Sequence, residues 1–338
     1  MFTLSGVLLL LCWTIAVPSG LADGAGQAVD LHSAVQNPDA QIRLEAIMAV
    51  MQNPPRPPNV EGPLADLIKL LADPVVTVRA RAAKALAIVG ASVRPADAAL
   101  LKSAEPKLLG MLNTTNKEEI LAAIEAIQSI PQPSRETALT AEKLMEHPDF
   151  QIRAAAFRAV GLAAAGQPDI VARLVERSLR GDDRTRILAL RALGLIKERS
   201  DTVLAALIQG VNNSKKDIRL TALDSLDLHL GFHGYDSMNA AQELMKLAVN
   251  TKEDEALRKA ALSPLAKMIN NHPLIEEALL ETLGQNPEPV LRRGIVQALG
   301  YATNPSPRVT ARLRAALADD DEGTRIQAAL ALRRHDNK

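Results

Sequence analysis

The sequence predicts an all-α protein, a right-handed α-solenoid of about nine antiparallel helix pairs. One motif returns along the chain, as HPDFQIRAAAFRAVG at 147–161, DPVVTVRARAAKALAIVG at 73–90 and GDDRTRILALRALG at 181–194. The returns are 33 to 41 residues apart, which is the length of one helix pair with its two turns. Hydrophobic residues make up 47% of the chain but aromatic residues only 2%. The core must therefore consist of Ala, Leu, Ile and Val, which suits closely packed helices.

An arginine near the start of the second helix of each predicted pair marks the period. The steps between successive marks are 36, 41, 33, 33, 33, 39, 34 and 33 residues, by subtraction of sequence numbers. Isoleucine takes the place of arginine once. We call these nine positions the anchors, and they are Arg43, Arg79, Ile120, Arg153, Arg186, Arg219, Arg258, Arg292 and Arg325.

Two apolar residues follow each anchor at helical spacing, the first usually alanine and the second a larger aliphatic residue. Alanine stands three residues after eight of the nine anchors, and Ile295 takes this place in the other repeat. An aliphatic residue stands seven residues after every anchor, from Val50 in the first repeat to Leu332 in the last. Offsets of three and seven lie on one face of an α-helix. We therefore expect this face to pack against the neighbouring helices.

Polar residues before the anchors predict where the second helices begin. Asn37 and Asp73 each precede a proline, which predicts a capping side chain followed by proline in the first helical position. An acid also stands four residues before six anchors, where it favours the helix N-terminus and would face the anchor arginine one turn later. These six acids are Asp39, Asp149, Asp182, Asp254, Glu288 and Asp321.

The longer steps predict departures from regular repetition. Residues 52–63 contain five prolines, so we expect a stiff extended connector there rather than a helix. Residues 91–112 predict a longer first helix. Pro264 falls inside a second helix and predicts a kink.

The 39-residue step contains DLHLGFHGYD at 227–236, a stretch that raises the alternative of a metal site. His229 and His233 have the spacing of two ligands on one helix, and Asp236 follows them. However, Gly231 and Gly234 indicate that the helix ends here, and no cysteine is available to complete a site. An elongated turn is the favoured interpretation, with metal binding left open.

The N-terminus predicts export. Residues 1–22 contain no Asp, Glu, Lys or Arg, and an apolar run at 7–17 ends at Pro18 before small residues. This pattern predicts a cleaved signal peptide at 1–22 and a repeat domain at 23–338 that works outside the cytoplasm, as in a bacterial periplasm. Residues 4–22 could also remain as a membrane anchor. Cys12, the only cysteine, lies in this leader, so we expect no disulfide in the repeat domain.

The Asp-Pro, Val-Arg and Ala-Leu-Gly segments of these motifs resemble those of the HEAT-like repeats, particularly the short variety first described in phycobilisome lyases. In such families, aspartate and arginine form a ladder between successive repeats. The resemblance therefore implies a structural ladder role for the anchor arginines. Ile120 interrupts that ladder and Lys215 replaces an acid, so we expect weaker joints at these two places. The ladder residues are Arg43, Arg79, Arg153, Arg186, Arg219, Arg258, Arg292 and Arg325.

The second helices of such an array would line a groove, and a groove without catalytic motifs predicts a scaffold or adaptor that binds a protein or peptide. We expect no cofactor. Five of the six predicted contact residues follow an anchor by five residues, on the side away from the core. The six are Arg81, Lys84, Glu125, Arg158, Arg191 and Asp224.

Two other function classes are alternatives to a scaffold. The resemblance implies an accessory lyase or isomerase subunit that handles a tetrapyrrole or another prosthetic group, although such relatives work inside the cell. Nucleic-acid binding is disfavoured, because 39 basic and 39 acidic residues give a formal charge of +0 and the predicted groove carries both signs. We likewise expect no membrane contact beyond a retained N-terminal anchor.

Overall fold

The computed structural model describes residues 30–57, 59–94, 98–233, 237–270, 273–285 and 287–336. In these ranges every regular element is helical, and the expected all-α solenoid is confirmed. The predicted export signal at 1–22 lies outside the described residues. No helix within those ranges is both long enough and apolar enough to cross a membrane.

Nine helix pairs follow one another in the described part of the chain. The first helices are α1 (Leu31–Ala34), α3 (Glu61–Leu70), α6 (Glu105–Leu112), α8 (Arg135–Lys143), α10 (Pro168–Arg180), α12 (Asp201–Val211), α14 (Met238–Val249), α16 (Pro273–Gly284) and α18 (Pro307–Ala315). The second helices are α2 (Ala40–Gln52), α4 (Val76–Gly90), α7 (Lys117–Ile127), α9 (Phe150–Ala163), α11 (Asp183–Gly194), α13 (Lys216–His233), α15 (Glu255–Met268), α17 (Pro289–Leu299) and α19 (Glu322–Asp336). One further short helix, α5 (Ala98–Lys102), precedes α6.

The second helices form a continuous layer in which each packs against the next, from α2 to α19. They contact one another more extensively than the first helices do. The second helices therefore form the more closely packed of the two layers. We call the surface of this layer the second-helix face.

The recurrent alanine explains how the second helices come so close. The residue three after the anchor is fully buried in all nine repeats, from Ala46 to Ala328. The aliphatic residue seven after the anchor is buried in the seven inner repeats and half-buried in the terminal ones, at Val50 and Leu332. Because the side chains at the contact are small, neighbouring backbones approach closely and share one core.

Glycine at the end of a second helix extends this close contact. A Cβ on Gly161 would lie 2.9 Å from the Cα of Ala192 on the next second helix and would collide with its carbonyl group. A Cβ on Gly194 would lie 2.8 Å from the Ser225 carbonyl oxygen, and one on Gly300 would lie 2.6 Å from the Ala331 Cβ. The glycine that follows Ala-Val or Ala-Leu in these repeats is therefore required by the approach of the next helix.

Five anchor arginines bind an acid from the following repeat. Arg43 makes a bidentate pair with Asp73, with Nε 2.7 Å from Oδ2 and Nη2 3.0 Å from Oδ1. Arg79 makes the same kind of pair with Glu119, at 2.6 and 3.2 Å. The other three pairs are Arg219 with Glu253, Arg258 with Glu288, and Arg292 with Asp319.

Hydrogen bonding to the arginine lowers the carboxyl pKa in two of these pairs. The hydrogen bond from Arg292 lowers the pKa of Asp319, and the same bond raises the pKa of Arg292. The hydrogen bond from Arg219 likewise lowers the pKa of Glu253. These ladder pairs are therefore ionised at neutral pH.

The remaining anchor arginines bond to main-chain carbonyls of their own repeat. Arg153 donates to the His147 carbonyl oxygen at 2.7 Å, Arg186 to that of Gly181 at 2.8 Å, and Arg325 to that of Asp319 at 2.8 Å. None of the three forms a salt bridge with a described carboxylate. They stabilise the turn before their helix rather than the joint to the next repeat.

Lysine side chains cross the two joints that were expected to be weak. Beside Ile120, Lys117 Nζ lies 2.6 Å from Asp149 Oδ2 of the next repeat. Lys215 pairs with Asp183 of the preceding repeat, and Lys216 lies 2.7 Å from Asp254 of the following one. The strength of these joints stays a prediction, but ion pairs span both of them.

Two expectations about helix starts were wrong. Asn37 and Asp73 do not cap the second helices, which begin later, at Ala40 and Val76. The side chains of Asn37 and Asp73 instead accept the backbone N–H two residues on, which forms a turn ahead of each helix. The acid four residues before the anchor is the true cap in five repeats, at Asp39, Asp149, Asp182, Asp254 and Asp321. Each of these aspartates accepts hydrogen bonds from the N-terminus of its own helix. The anchor arginine of the same repeat therefore binds another carboxylate or a main-chain carbonyl.

The long first helix expected at 91–112 was also wrong. Two short helices, α5 and α6, occupy the described part of that segment, and Pro106 lies in the first turn of α6. Proline has no N–H to donate and its ring clashes with the carbonyl four residues earlier, so a helix begins there rather than running through. The expected connector at 52–63 is non-helical from Asn53 to Val60 in its described residues. Pro264 lies buried inside α15.

Candidate functional site

A cavity of about 350 Å³ opens on the second-helix face between α9, α11 and α13. Its floor is apolar and comes from all three helices. Its rim carries three of the six predicted contact residues, one from each helix. The lining residues are Ala154, Arg158, Leu188, Arg191, Ala192, Leu195, Asp224, Ser225 and Leu228.

The three rim charges occupy the same position in successive repeats, five residues after the anchor. Arg158 donates a hydrogen bond from Nη1 to Gln128 Oε1 at 3.2 Å. Arg191 and Asp224 form no hydrogen bond or salt bridge with other described residues. All three side chains are exposed. Two guanidinium groups and one carboxylate are therefore presented toward whatever enters the cavity.

The pKa of Asp224 is raised above its usual value. Although the side chain is exposed, neighbouring protein atoms partly desolvate its carboxylate and raise its pKa, the negative charge of Asp227 raises the pKa further, and the positive charge of Arg191 offsets only part of the increase. The negative charge of Asp227 is itself compensated, because Lys267 Nζ lies 2.9 Å from one carboxylate oxygen and Ser263 Oγ donates a hydrogen bond to the other at 2.8 Å. The Asp224 carboxylate lacks such a close cation.

The other three predicted contact residues lie outside this cavity. Lys84 pairs with Glu118 at 2.9 Å, and this hydrogen bond is the largest cause of the lowered pKa of Glu118. Arg81 is half-buried, and its charge contributes to the same lowering. Glu125 is exposed on α7. The structure thus brings together Arg158, Arg191 and Asp224 but does not bring the other three to them.

The apolar floor was missed from the sequence. Leu188 and Leu195 of α11 and Leu228 of α13 line the cavity, and Leu228 is 40% exposed. Offsets of two, five and nine from an anchor share one helical stripe. The signal was therefore present, because leucine occupies offset nine in the three successive repeats anchored by Arg153, Arg186 and Arg219.

The alternative metal ligands are only partly described. His229 is fully buried, and its Nδ1 lies 3.1 Å from the Ile196 carbonyl oxygen. A carbonyl can only accept a hydrogen bond, so this nitrogen carries the proton and is not a free ligand atom. The His233 side chain and Asp236 lie outside the described residues. Within the described part of the chain, no three His, Cys, Asp or Glu side chains are grouped as a metal site.

A second cavity, of about 300 Å³, lies between the first helices α14 and α16. Met238 and Leu274 on its wall are 41% and 56% exposed, and Glu277 and Glu281 supply its only charges. Glu277 is already paired, with Arg308 Nη1 2.6 Å away. This cavity is on the opposite layer from the three predicted charges.

The fold and the first cavity together define an α-solenoid of helical repeats with a cavity on its second-helix face. A family model described as HEAT repeats matches residues 137–227 and 276–338. The first matched range contains every residue of the first cavity except Leu228. The description names the repeat and does not name a lyase. No curated protein sequence matches the chain.

Several solved structures are similar to the chain at low sequence identity. A crystal structure of an engineered protein is 17% identical with a TM-score of 0.46, over 92% of this chain and 89% of that one. A crystal structure of Kap121p is 16% identical with a TM-score of 0.47, and one of Kap121p bound to Pho4p is 16% identical with a TM-score of 0.45. They match 90% and 91% of this chain, which spans 36% of the Kap121p chain.

Proposed function

We propose that this protein is a non-catalytic scaffold that binds a protein or peptide on its second-helix face. The observation that carries the proposal is the cavity between α9, α11 and α13, where an apolar floor is surrounded by exposed charged side chains. Apolar floors with a few charged groups at the rim are typical of sites that bind peptides and other ligands.

The residues that line the cavity support binding rather than catalysis. Ser225 is the only hydroxyl among them, and it is 4% exposed. Neither histidine nor cysteine is among the nine lining residues, so this serine has no neighbouring imidazole base there. Arginine and aspartate at the rim can hold a partner by charge.

The position of the site on helices also supports a binding function. Every lining residue except Leu195, which follows α11 directly, belongs to a helix of the packed layer. A main chain that is already fixed by packing loses little further conformational entropy when a partner binds. A preformed face of this kind suits a scaffold that holds a partner without rearranging.

We further propose that the protein works outside the cytoplasm. The support is the uncharged leader at 1–22 with its apolar run and the small residues after Pro18. A single experiment tests both the site and the compartment. A photo-crosslinking amino acid replaces Leu228 on the second-helix face, and in a matched control it replaces Leu274 on the first-helix layer, which is 56% exposed.

After irradiation of intact cells and fractionation, we expect the Leu228 variant to form a discrete adduct in the fraction outside the cytoplasm. The adduct should disappear when Arg191→Glu is added, because the partner is then repelled. An adduct at Leu274 alone, or none at either position, would contradict binding on the second-helix face. An adduct confined to the cytoplasm would contradict export.

A further inference from the structure

The cavity between α9, α11 and α13 has a directional charge pattern. Arg158 and Arg191 stand on the first two helices and Asp224 on the third. Leu188 lies on the same helix as Arg191, Leu195 follows that helix directly, and Leu228 lies on the helix of Asp224. A partner that crosses the three helices therefore meets positive groups on the first two helices, apolar side chains on the second and third, and a negative group on the third.

Neither end of this pattern is neutralised by a close internal partner. The one hydrogen bond from Arg158 goes to a neutral amide, that of Gln128, and Arg191 has no salt bridge to a described carboxylate. Asp224 has no described cation within salt-bridge distance, although it is partly withdrawn from water. A carboxylate from the partner near the arginines and a cation near Asp224 would satisfy both ends.

The spacing of the helices sets the length of the ligand. Packed helices lie about 8–10 Å apart, so the span from α9 to α13 is roughly 16–20 Å. An extended chain advances about 3.3 Å per residue. A peptide therefore needs about five or six steps between its acidic and basic residues, with an aliphatic residue near the middle.

We infer that the cavity recognises an extended peptide segment in which an aliphatic side chain lies between an acidic residue and a basic residue. The acidic residue binds at Arg158 on α9, where Arg191 on the next helix adds positive charge, the aliphatic side chain enters the pocket lined by Leu188, Leu195 and Leu228, and the basic residue binds at Asp224 on α13. This inference rests on the proposed binding function and specifies the chemistry of the partner.

The test uses fluorescein-labelled seven-residue peptides and the full chain, with binding measured by fluorescence anisotropy. The matching peptide is Glu-Ser-Gly-Leu-Gly-Ser-Lys. In one control peptide the lysine is replaced by glutamate, and in another the leucine is replaced by serine. The protein is compared with its Asp224→Lys variant, whose substitution is at an exposed position.

We expect the unaltered protein to bind the matching peptide about tenfold more tightly than either control, because each control loses one of the three contacts. The Asp224→Lys variant should reverse the preference and bind the Glu–Glu peptide more tightly than the Glu–Lys peptide. The preference of the unaltered protein is a test by itself if the variant does not fold.

Equal binding of the three peptides, an unchanged preference in the Asp224→Lys variant, or no binding would overturn the inference. These outcomes differ from failure of the proposed function. If Leu228 still crosslinks to a partner in cells, the second-helix face is the binding face but its ligand has another chemistry. If neither peptide nor cellular partner reaches Leu228, both proposals fall.

Discussion

Arg43 shows how much one side chain contributes to a joint between repeats. Its side chain is 7% exposed and that of its partner Asp73 is 4% exposed. Besides the bidentate pair, Arg43 Nη1 donates to the Asn37 carbonyl oxygen at 2.5 Å. Asp73 in turn accepts the Val75 N–H ahead of α4. The pair therefore connects the turns that begin two successive second helices.

Arg43→Ala should destabilise the protein by about 3–5 kcal/mol, because it leaves the Asp73 carboxylate buried without its cation. The free energy of unfolding is measured from urea titrations followed by circular dichroism. Arg308→Ala is the matched control, since its pair with Glu277 is 66% and 64% exposed, and such pairs contribute about 0–1 kcal/mol. Equal unfolding midpoints for the two variants would contradict a structural role for Arg43.

The sequence predicts the anchor arginines well but not their partners. Asp73 lies six residues before its own anchor, Glu253 lies five before and Glu119 lies one before. A flexible carboxylate can reach a guanidinium group from any of these backbone positions, so no fixed spacing identifies the partner. Capping is more regular, because only the residue next to the first turn can reach its free N–H groups.

At the scale of the element, the second helix is specified by small residues on its packed side. Alanine at offset three and glycine near the end let the next second helix approach, as at Gly161 against Ala192. In an isolated helix, alanine is favoured over glycine by about 1 kcal/mol. The contact in this stack reverses that preference.

Gly161→Ala should therefore destabilise the protein, by about 1–3 kcal/mol, since a Cβ would overlap the Ala192 carbonyl group and push α9 and α11 apart. Gly110→Ala is the matched control. Gly110 is an exposed helical residue with nothing within 4 Å of an added Cβ, so this change should stabilise by about 0.5–1 kcal/mol. Thermal unfolding of the two variants measures the difference, and a shift of the same sign would contradict the steric account.

The regular face of an element is easier to predict than its exceptions. The alanine three residues after the anchor and the aliphatic residue seven after it identified the buried face, because the same packing contact recurs in every helix pair. The floor of the cavity was missed because Leu195 and Leu228 differ from the residues at offset nine in most other repeats. The split of residues 91–112 into α5 and α6 depends on Pro106, which lies in the first turn of α6 and starts a helix inside an otherwise helix-compatible segment.

At the scale of the whole molecule, each pair is stabilised mainly by the pairs beside it. The described core is continuous from Leu31 to Ala331, yet the second helices contact their immediate neighbours in the chain of repeats. Stability in such an array is the sum of local repeats and nearest-neighbour interfaces. A binding site built across three second helices, as at Arg158, Arg191 and Asp224, therefore depends on two of these interfaces.

This arrangement predicts that damage to the core spreads only a short distance. Leu193→Ala removes a fully buried side chain from α11 and should cost about 2–5 kcal/mol. Hydrogen exchange should then accelerate from α9 to α13 while α2, α4 and α17 keep their protection.

The matched variant is Leu86→Ala, which removes an equally buried side chain from α4. It should accelerate exchange from α2 to α7 but leave exchange in α15 to α19 unchanged. Exchange that rises uniformly along the chain in both variants would show that the molecule unfolds as one cooperative globule. A local response would also mean that Leu193→Ala weakens peptide binding at the cavity, whereas Leu86→Ala does not.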